Sequence, residues 1–291
     1  MSHDEPRTAH PPPLAHLPLE TEPLPPPAAD PAPAAVPPPR PRAPALVVEG
    51  LSKTYEDTQA VSDLSFSVSA GEILGLVGPN GAGKTTSLRS ICGVSIAQDE
   101  ARAKSQLAWI PDDPQPFDSL TVHEHLRFTA ALYGVADWEP RAEALLRRFE
   151  LQEKREALGG ELSRGMRQKL AFCCAWIHSP RVVLMDEPLS GLDPRGIRAA
   201  KVAIRDLAEQ GAAVILSSHL LVLIEELAHR ILILDRGRKI FFGTMDEARA
   251  TLSAPAGSSL EEIFMAATEG PRSKESAPSA NASGLPPANG I

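Results

Sequence analysis

Between residues 45 and 250 apolar side chains recur in short blocks whose period changes along the chain. The stretch "ALVVEGLSKTY" carries the valines of an edge strand. "AVSDLSFSV" alternates apolar and polar positions, the period of a strand buried on one face. "GEILGLVG" is mostly apolar and ends in glycine, as a buried strand does where it runs into a loop, and "KTTSLRSICGV" follows as a helix. From residue 120 to 178 the period lengthens to that of a helix. "LTVHEHLRFTAALYG" starts at Thr121, an N-cap residue type, and stops at Gly134. "EPRAEALLRRFEL" is amphipathic, and "SRGMRQKLAFCCAWIHS" turns its apolar residues inward before Pro180 ends it. Beyond it, "RVVLMDEP", "AAVILSSH" and "RILILDRG" read as buried strands, with helices "PRGIRAAKVAIRDLAEQG" and "LLVLIEELAHR" between them. Strands alternating with helices predict a mainly parallel sheet covered on both faces, with a helical insert at about 116–178.

Composition changes this picture at the two ends. More than half of the 29 prolines fall in the first 45 residues, in runs such as "LPPPAADPAPAAVPPPRPRAP". Such a segment buries too little apolar surface to offset chain entropy, so residues 1–44 are expected to form an extended, solvated tail. Residues 269–291 read the same way, which leaves 45–268 for one α/β domain. An extension without specific role is the plain reading of the proline-rich tail. A ligand for an SH3-like domain, or a tether, is the sharper one. The net charge of −8 argues against a nucleic-acid partner. Three cysteines, Cys92, Cys173 and Cys174, show no metal-ligand or disulfide pattern and suit helix packing in a reducing compartment. No secretion signal and no apolar run long enough to span a membrane is present, so work at a membrane would require another polypeptide to supply the span.

The chemistry begins at "GPNGAGKT", where Gly78, Pro79, Asn80, Gly81, Ala82, Gly83, Lys84 and Thr85 satisfy G-x-x-x-x-G-K-[ST], with Thr86 next. Glycines let successive N–H groups turn toward phosphate oxygens. Lys84 brings a positive charge to the β- and γ-phosphates, and the Thr85 hydroxyl can ligate Mg²⁺. The loop follows a strand and opens a helix, the context this motif requires. Asp186 ends "RVVLM" and is placed to hold Mg²⁺. Its neighbour Glu187 can face the γ-phosphate and polarise an attacking water.

Together "GPNGAGKTT", "LSRGM", "VVLMDEP", "SGLDP" and "SSH", in this order, resemble the nucleotide-binding subunit of an ATP-binding cassette (ABC) transporter over about residues 45–250. The predicted fold is then an α/β P-loop NTPase core with a mainly parallel sheet, a small antiparallel β subdomain and the inserted helical subdomain. The resemblance implies that two subunits pack head to tail, and that Ser163 and Gly165 of "LSRGM" touch the γ-phosphate held by the partner's loop. A helix N-terminus with a hydroxyl favours such a group. It also implies that Tyr55, just after the first strand, stacks on adenine. His219 would contact the γ-phosphate, and Asp193 would sit in the loop that communicates between the two sites. Implied cofactors are ATP and Mg²⁺. Implied partners are a second ATPase subunit, identical or related, and a multi-span permease holding the chain on the inner face of the cell membrane.

Three departures from the family pattern stand out. Met166 occupies a position where many members have glutamine, and Asp112 replaces the glutamine that senses Mg²⁺ and the γ-phosphate. A carboxylate ligates Mg²⁺ as well as an amide does, but adds negative charge beside a triphosphate. Third, Asp112 follows Lys84 by only 28 residues, fewer than the family usually has. The missing segment normally completes the antiparallel sheet beside the adenine pocket. Its loss reads either as a harmless deletion or as a damaged subdomain. The short helical finish after "RGRKIFFG", with no extra regulatory domain, points to bacterial exporter-type subunits. Rival readings are a soluble superfamily member in translation or repair, and a nucleotide-binding regulatory subunit disabled by the gap. The first usually carries two cassettes or a coiled-coil insert; the second conflicts with intact Glu187, His219 and Ser163.

Overall fold

The computed structural model describes residues 43–93, 100–252, 255 and 257–269; of the tails expected at 1–44 and 269–291, only Pro44, which opens the first strand, residue 43 and Glu269, which ends the last helix, fall within these residues. In chain order the elements are β1 (Pro44–Tyr55), β2 (Thr58–Ser69), β3 (Ile73–Val77), α1 (Lys84–Gly93), α2 (Glu100–Ser105) and β4 (Leu107–Ile110). The insert follows with α3 (Val122–Leu132), α4 (Glu139–Arg148) and α5 (Arg164–Ile177). The chain then alternates through β5 (Val182–Asp186), α6 (Pro194–Glu209), β6 (Ala213–Ser217), α7 (Leu221–Leu227) and β7 (Arg230–Asp235). It ends in β8 (Arg238–Gly243), α8 (Met245–Thr251) and α9 (Leu260–Glu269).

A six-stranded sheet in the order β4-β5-β6-β3-β7-β8 forms the core. Its first five strands are parallel, and β8 returns antiparallel to β7. β3, β5 and β6 are buried at every position, which is why their sequences read as continuous apolar runs. Alternate residues of β3 serve opposite faces. Ile73 and Val77 pack into the core shared with the insert, whereas Leu74 and Leu76 pack against α1 and β2. Gly75 of β3 admits α7 at close quarters, since a Cβ there would meet Ile224 Cγ2 at 2.3 Å.

β1 and β2 form a separate two-stranded antiparallel sheet. Its inner face is closed by Val61, Leu64 and Val68, all fully buried. Between α1 and β4 the described residues form α2 rather than a further strand; residues 94–99 of the shortened segment lie outside them. Tyr55 proves to be the last residue of β1 rather than one beyond it. The helix expected through Arg230 stops at Leu227, because His229 turns its ring back to accept a hydrogen bond from Ile73 N (2.9 Å). β8 itself was not anticipated.

In the insert, Thr121 caps α3 as its residue type predicts, inside a full capping box with Glu124. Gly134 ends the turn with φ 67°. Phe149 stacks on Phe172 of α5 with ring centroids 5.2 Å apart, fastening the end of α4 to α5. Cys173 is fully buried in α5, and burial pushes the thiols of Cys92 and Cys174 up to about 12 and about 11. All three are free thiols held in packing roles, as their spacing suggested.

Candidate functional site

The loop between β3 and α1 is shaped by what its glycines exclude. A Cβ on Gly78 would stand 2.5 Å from Leu234 O, and one on Gly83 2.5 Å from Ala60 O, so side chains here would push the loop off β7 and β2. Gly81 (φ 81°) faces open space, leaving the concave side of the loop free. Lys84 Nζ curls over this loop and donates to Gly78 O (2.7 Å) and Pro79 O (3.2 Å). Desolvation by burial lowers its pKa, opposed by the charges of Glu187 and Asp186, so all three groups share one electrostatic neighbourhood.

β6 lies between β3 and β5, so the strand ending in Asp186 is not the neighbour of the one feeding the loop. The side chains bridge that gap. Thr85 Oγ1 donates to Asp186 Oδ2 at 2.7 Å, and Ser217 Oγ at the end of β6 donates to Asp186 Oδ1 at 2.6 Å. A hydroxyl and a carboxylate meeting at a helix N-terminus form a hard oxygen donor set that fits Mg²⁺ carried by a nucleotide. Glu187 follows with φ 48°, a conformation that non-glycine residues adopt mainly where surroundings impose it. Its N–H donates to Ser217 O (3.1 Å). Its Oε2 lies 2.8 Å from His219 Nδ1 and accepts from His219 N (3.2 Å). The imidazole is 60% exposed and the carboxylate 17%, so the pair points from the sheet edge toward solvent.

Tyr55 is half exposed at the tip of the β1–β2 hairpin, with Lys53 Nζ 5.2 Å from its ring centroid. Ala60, on the return strand of that hairpin, backs onto Gly83, so the hairpin borders the phosphate loop. Asp112 stands two residues beyond β4, whose Ile110 pairs with Met185, so it shares the carboxyl edge of the sheet with Asp186.

Ser163 and Gly165 make contacts of another kind. The Ser163 hydroxyl accepts from Met166 N (3.3 Å) and caps α5, and a Cβ on Gly165 would meet Gly191 O at 2.8 Å. The "LSRGM" turn, the signature turn of the family it resembles, therefore packs on the loop after Glu187. Lys169 adds an ion pair to Asp193 (3.4 Å), which caps α6 through Gly196 N (3.1 Å). Met166 itself packs its side chain against the core. Two residues that the sequence reading passed over emerge here. Ser217 was visible in "SSH" but read only for its histidine; Arg164 was visible inside "LSRGM" and was given no role.

A family profile described as ABC transporter matches residues 61–190. Relatives include the ABC-type transporter ATP-binding protein EcsA of Bacillus subtilis, 30% identical over 77% of this chain and 96% of its own. The Nod factor export ATP-binding protein I of Burkholderia thailandensis is 34% identical over 74% of each chain. Among solved structures, an ATP-binding subunit of an ABC transporter superposes with TM-score 0.72 at 32% identity, covering 76% of this chain and 98% of that one. A second, cbiO1 from Clostridium perfringens, shares the fold with TM-score 0.59 at 22% identity, over 70% of this chain and 90% of that one.

Proposed function

Because the chain belongs to the ABC transporter family as an ATP-binding subunit, we propose that it hydrolyses Mg²⁺-ATP as one half of a head-to-tail pair and so drives a separate membrane permease. One observation carries the catalytic reading: Thr85, Asp186, Glu187 and His219 converge at one edge of the sheet beside an open glycine loop. The N–H groups of Asn80–Thr85 hold the phosphates, and Lys84 leaves its two carbonyls to meet the β- and γ-oxygens. Mg²⁺, when bound, would supply charge neutralisation on those oxygens; Thr85 and Asp186 would hold it, while the Asp112 carboxylate is engaged by Arg164. Glu187, kept toward the cleft by its backbone and by His219, accepts the proton of the attacking water. His219 stabilises charge on the γ-phosphate as the bond to the leaving ADP breaks in line. Tyr55 supplies the adenine stack.

Ser163 and Gly165 close the partner's pocket in this reading. Both lie at the start of α5, where the Ser163 oxygen accepts the cap bond from Met166 N, so its O–H can donate to a phosphate oxygen. The insert supplies the surface for the permease. Phe117, Phe128 and Leu132 are exposed there, beside a cavity of about 280 Å³ lined by Pro111, Gln115, Tyr133 and Arg167. Among the described residues no helix is long and apolar enough to cross a membrane, so a partner provides the path. The Nod factor export relative, by its name, favours export.

The Glu187→Gln variant tests the mechanism. It should keep ATP affinity within about threefold, lose turnover by at least about a hundredfold and accumulate as an ATP-bound dimer on size exclusion. Turnover near wild type would remove Glu187 from the role of base.

A further inference from the structure

Arg164 is the first residue of α5, between Ser163 and Gly165, yet its guanidinium reaches two other segments. The same Nη2 lies 3.1 Å from Asp112 Oδ1 and 3.1 Å from Ser190 Oγ. Its aliphatic stem fills the space above Gly191, where an added Cβ would stand 3.2 Å from Arg164 Cδ. One side chain thus joins the loop after β4, the signature turn and the loop after β5.

Folding stability does not explain this arrangement. Asp112 and Arg164 are 49% and 51% exposed, and ion pairs so exposed contribute little to stability. Their position explains more. Asp112 stands at the end of β4, and neighbouring parallel strands lie ~4.8 Å apart, so it shares an edge with Asp186 and Glu187. A polyphosphate entering there meets three carboxylates. Asp186 and Glu187 have assigned work, but an uncompensated Asp112 would only repel the ligand.

We propose that Asp112 and Arg164 act as one charge-compensated unit, with Arg164 a positioning residue that cancels the Asp112 charge toward bound nucleotide and ties the signature turn to Ser190. This rests on the ATP-binding reading above. The pair then presents the nucleotide with nearly the net charge of an amide. It also fastens the turn serving one pocket to the acid lining the other.

The test is affinity, not turnover: binding of a fluorescent ATP analogue with Mg²⁺ to the full chain in the Glu187→Gln background, at low and high ionic strength. Arg164→Gln should weaken binding about three- to tenfold at low salt, with the difference shrinking at high salt. Adding Asp112→Asn should bring affinity back to within about twofold, a rescue that a packing role for Arg164 would not give. Unchanged affinity in Arg164→Gln, or a double variant no tighter than the single one, overturns the proposal. Should Arg164→Gln fail to melt cooperatively, Asp112→Asn alone carries the test. Freed of its partner, Arg164 should then tighten binding about threefold at low salt, and no change overturns the pair. A wild-type chain that binds no analogue overturns the ATP-binding reading instead, and this proposal with it.

Discussion

Asp186 shows how closely the site's residues depend on one another. Each of its oxygens already accepts a hydroxyl, Oδ1 from Ser217 and Oδ2 from Thr85, and the residue is 4% exposed. Ser217→Ala would leave a nearly buried carboxylate oxygen without its donor, at a cost of about 1–3 kcal/mol. The expected result is a lower urea midpoint at unchanged m-value, with Mg²⁺-ATP binding weakened because Asp186 is no longer held. A midpoint equal to wild type would mean that water replaces the hydroxyl without loss. The phosphate loop was legible from sequence because its glycines and lysine recur at fixed spacing for reasons of backbone geometry alone. Ser217 and Arg164 were not, because their partners lie 31 and 52 residues away and only the fold brings them together.

At the scale of elements, legibility followed burial. β3, β5 and β6 announce themselves because every position is buried and only the last residues of β5 and β6, Asp186 and Ser217, are polar, whereas β8 exposes Arg238, Lys239 and Ile240 and buries only Phe241 and Gly243. Nothing in its pattern separates such an edge strand from a loop. α7 is shorter than the sequence suggests, although Ala228 continues its apolar rhythm; His229 is instead a clasp at the start of β7. Its Nδ1 accepts from Ile73 N and its own N–H donates to Ile73 O (2.8 Å), while Glu72 and Arg230 pair alongside. Burial lowers the His229 pKa below 6.5, with the Glu72 charge opposing. The unfolded chain then takes up the proton first as pH falls, so stability drops from about pH 6.5 downward, through the window ending at the lower folded value. Protonation also removes the acceptor that Ile73 N uses. His178, lowered by burial beside Tyr133, adds to the same slope. Urea midpoints should therefore fall between pH 7.5 and 5.5, about 7 being the safer working pH, and His229→Asn should flatten that fall. An equal fall in the variant would assign the effect to other groups.

For the whole molecule, the proposed pairing makes one chain's phosphate loop and its "LSRGM" turn serve different pockets. The phosphate loop, Asp186, Glu187 and His219 line one, while Ser163 and Gly165 sit on α5 with hydrogen bonds and packing directed to Met166 and Gly191. If pockets are completed between chains, damage to opposite halves must complement in a mixture. A Lys84→Ala chain keeps a sound signature turn, and a Ser163→Arg chain keeps a sound phosphate loop; each alone should be inactive. In a mixed dimer both lesions fall in the same pocket, leaving the other intact. At equal concentrations half of randomly formed dimers are mixed and each has one good pocket of two, so about a quarter of wild-type turnover should return. The recovery should follow the dimer fraction as the proteins are diluted, because mass action removes the partner. Pockets completed within one chain would give no recovery at any mixing ratio, since every chain would carry its own lesion into its own site.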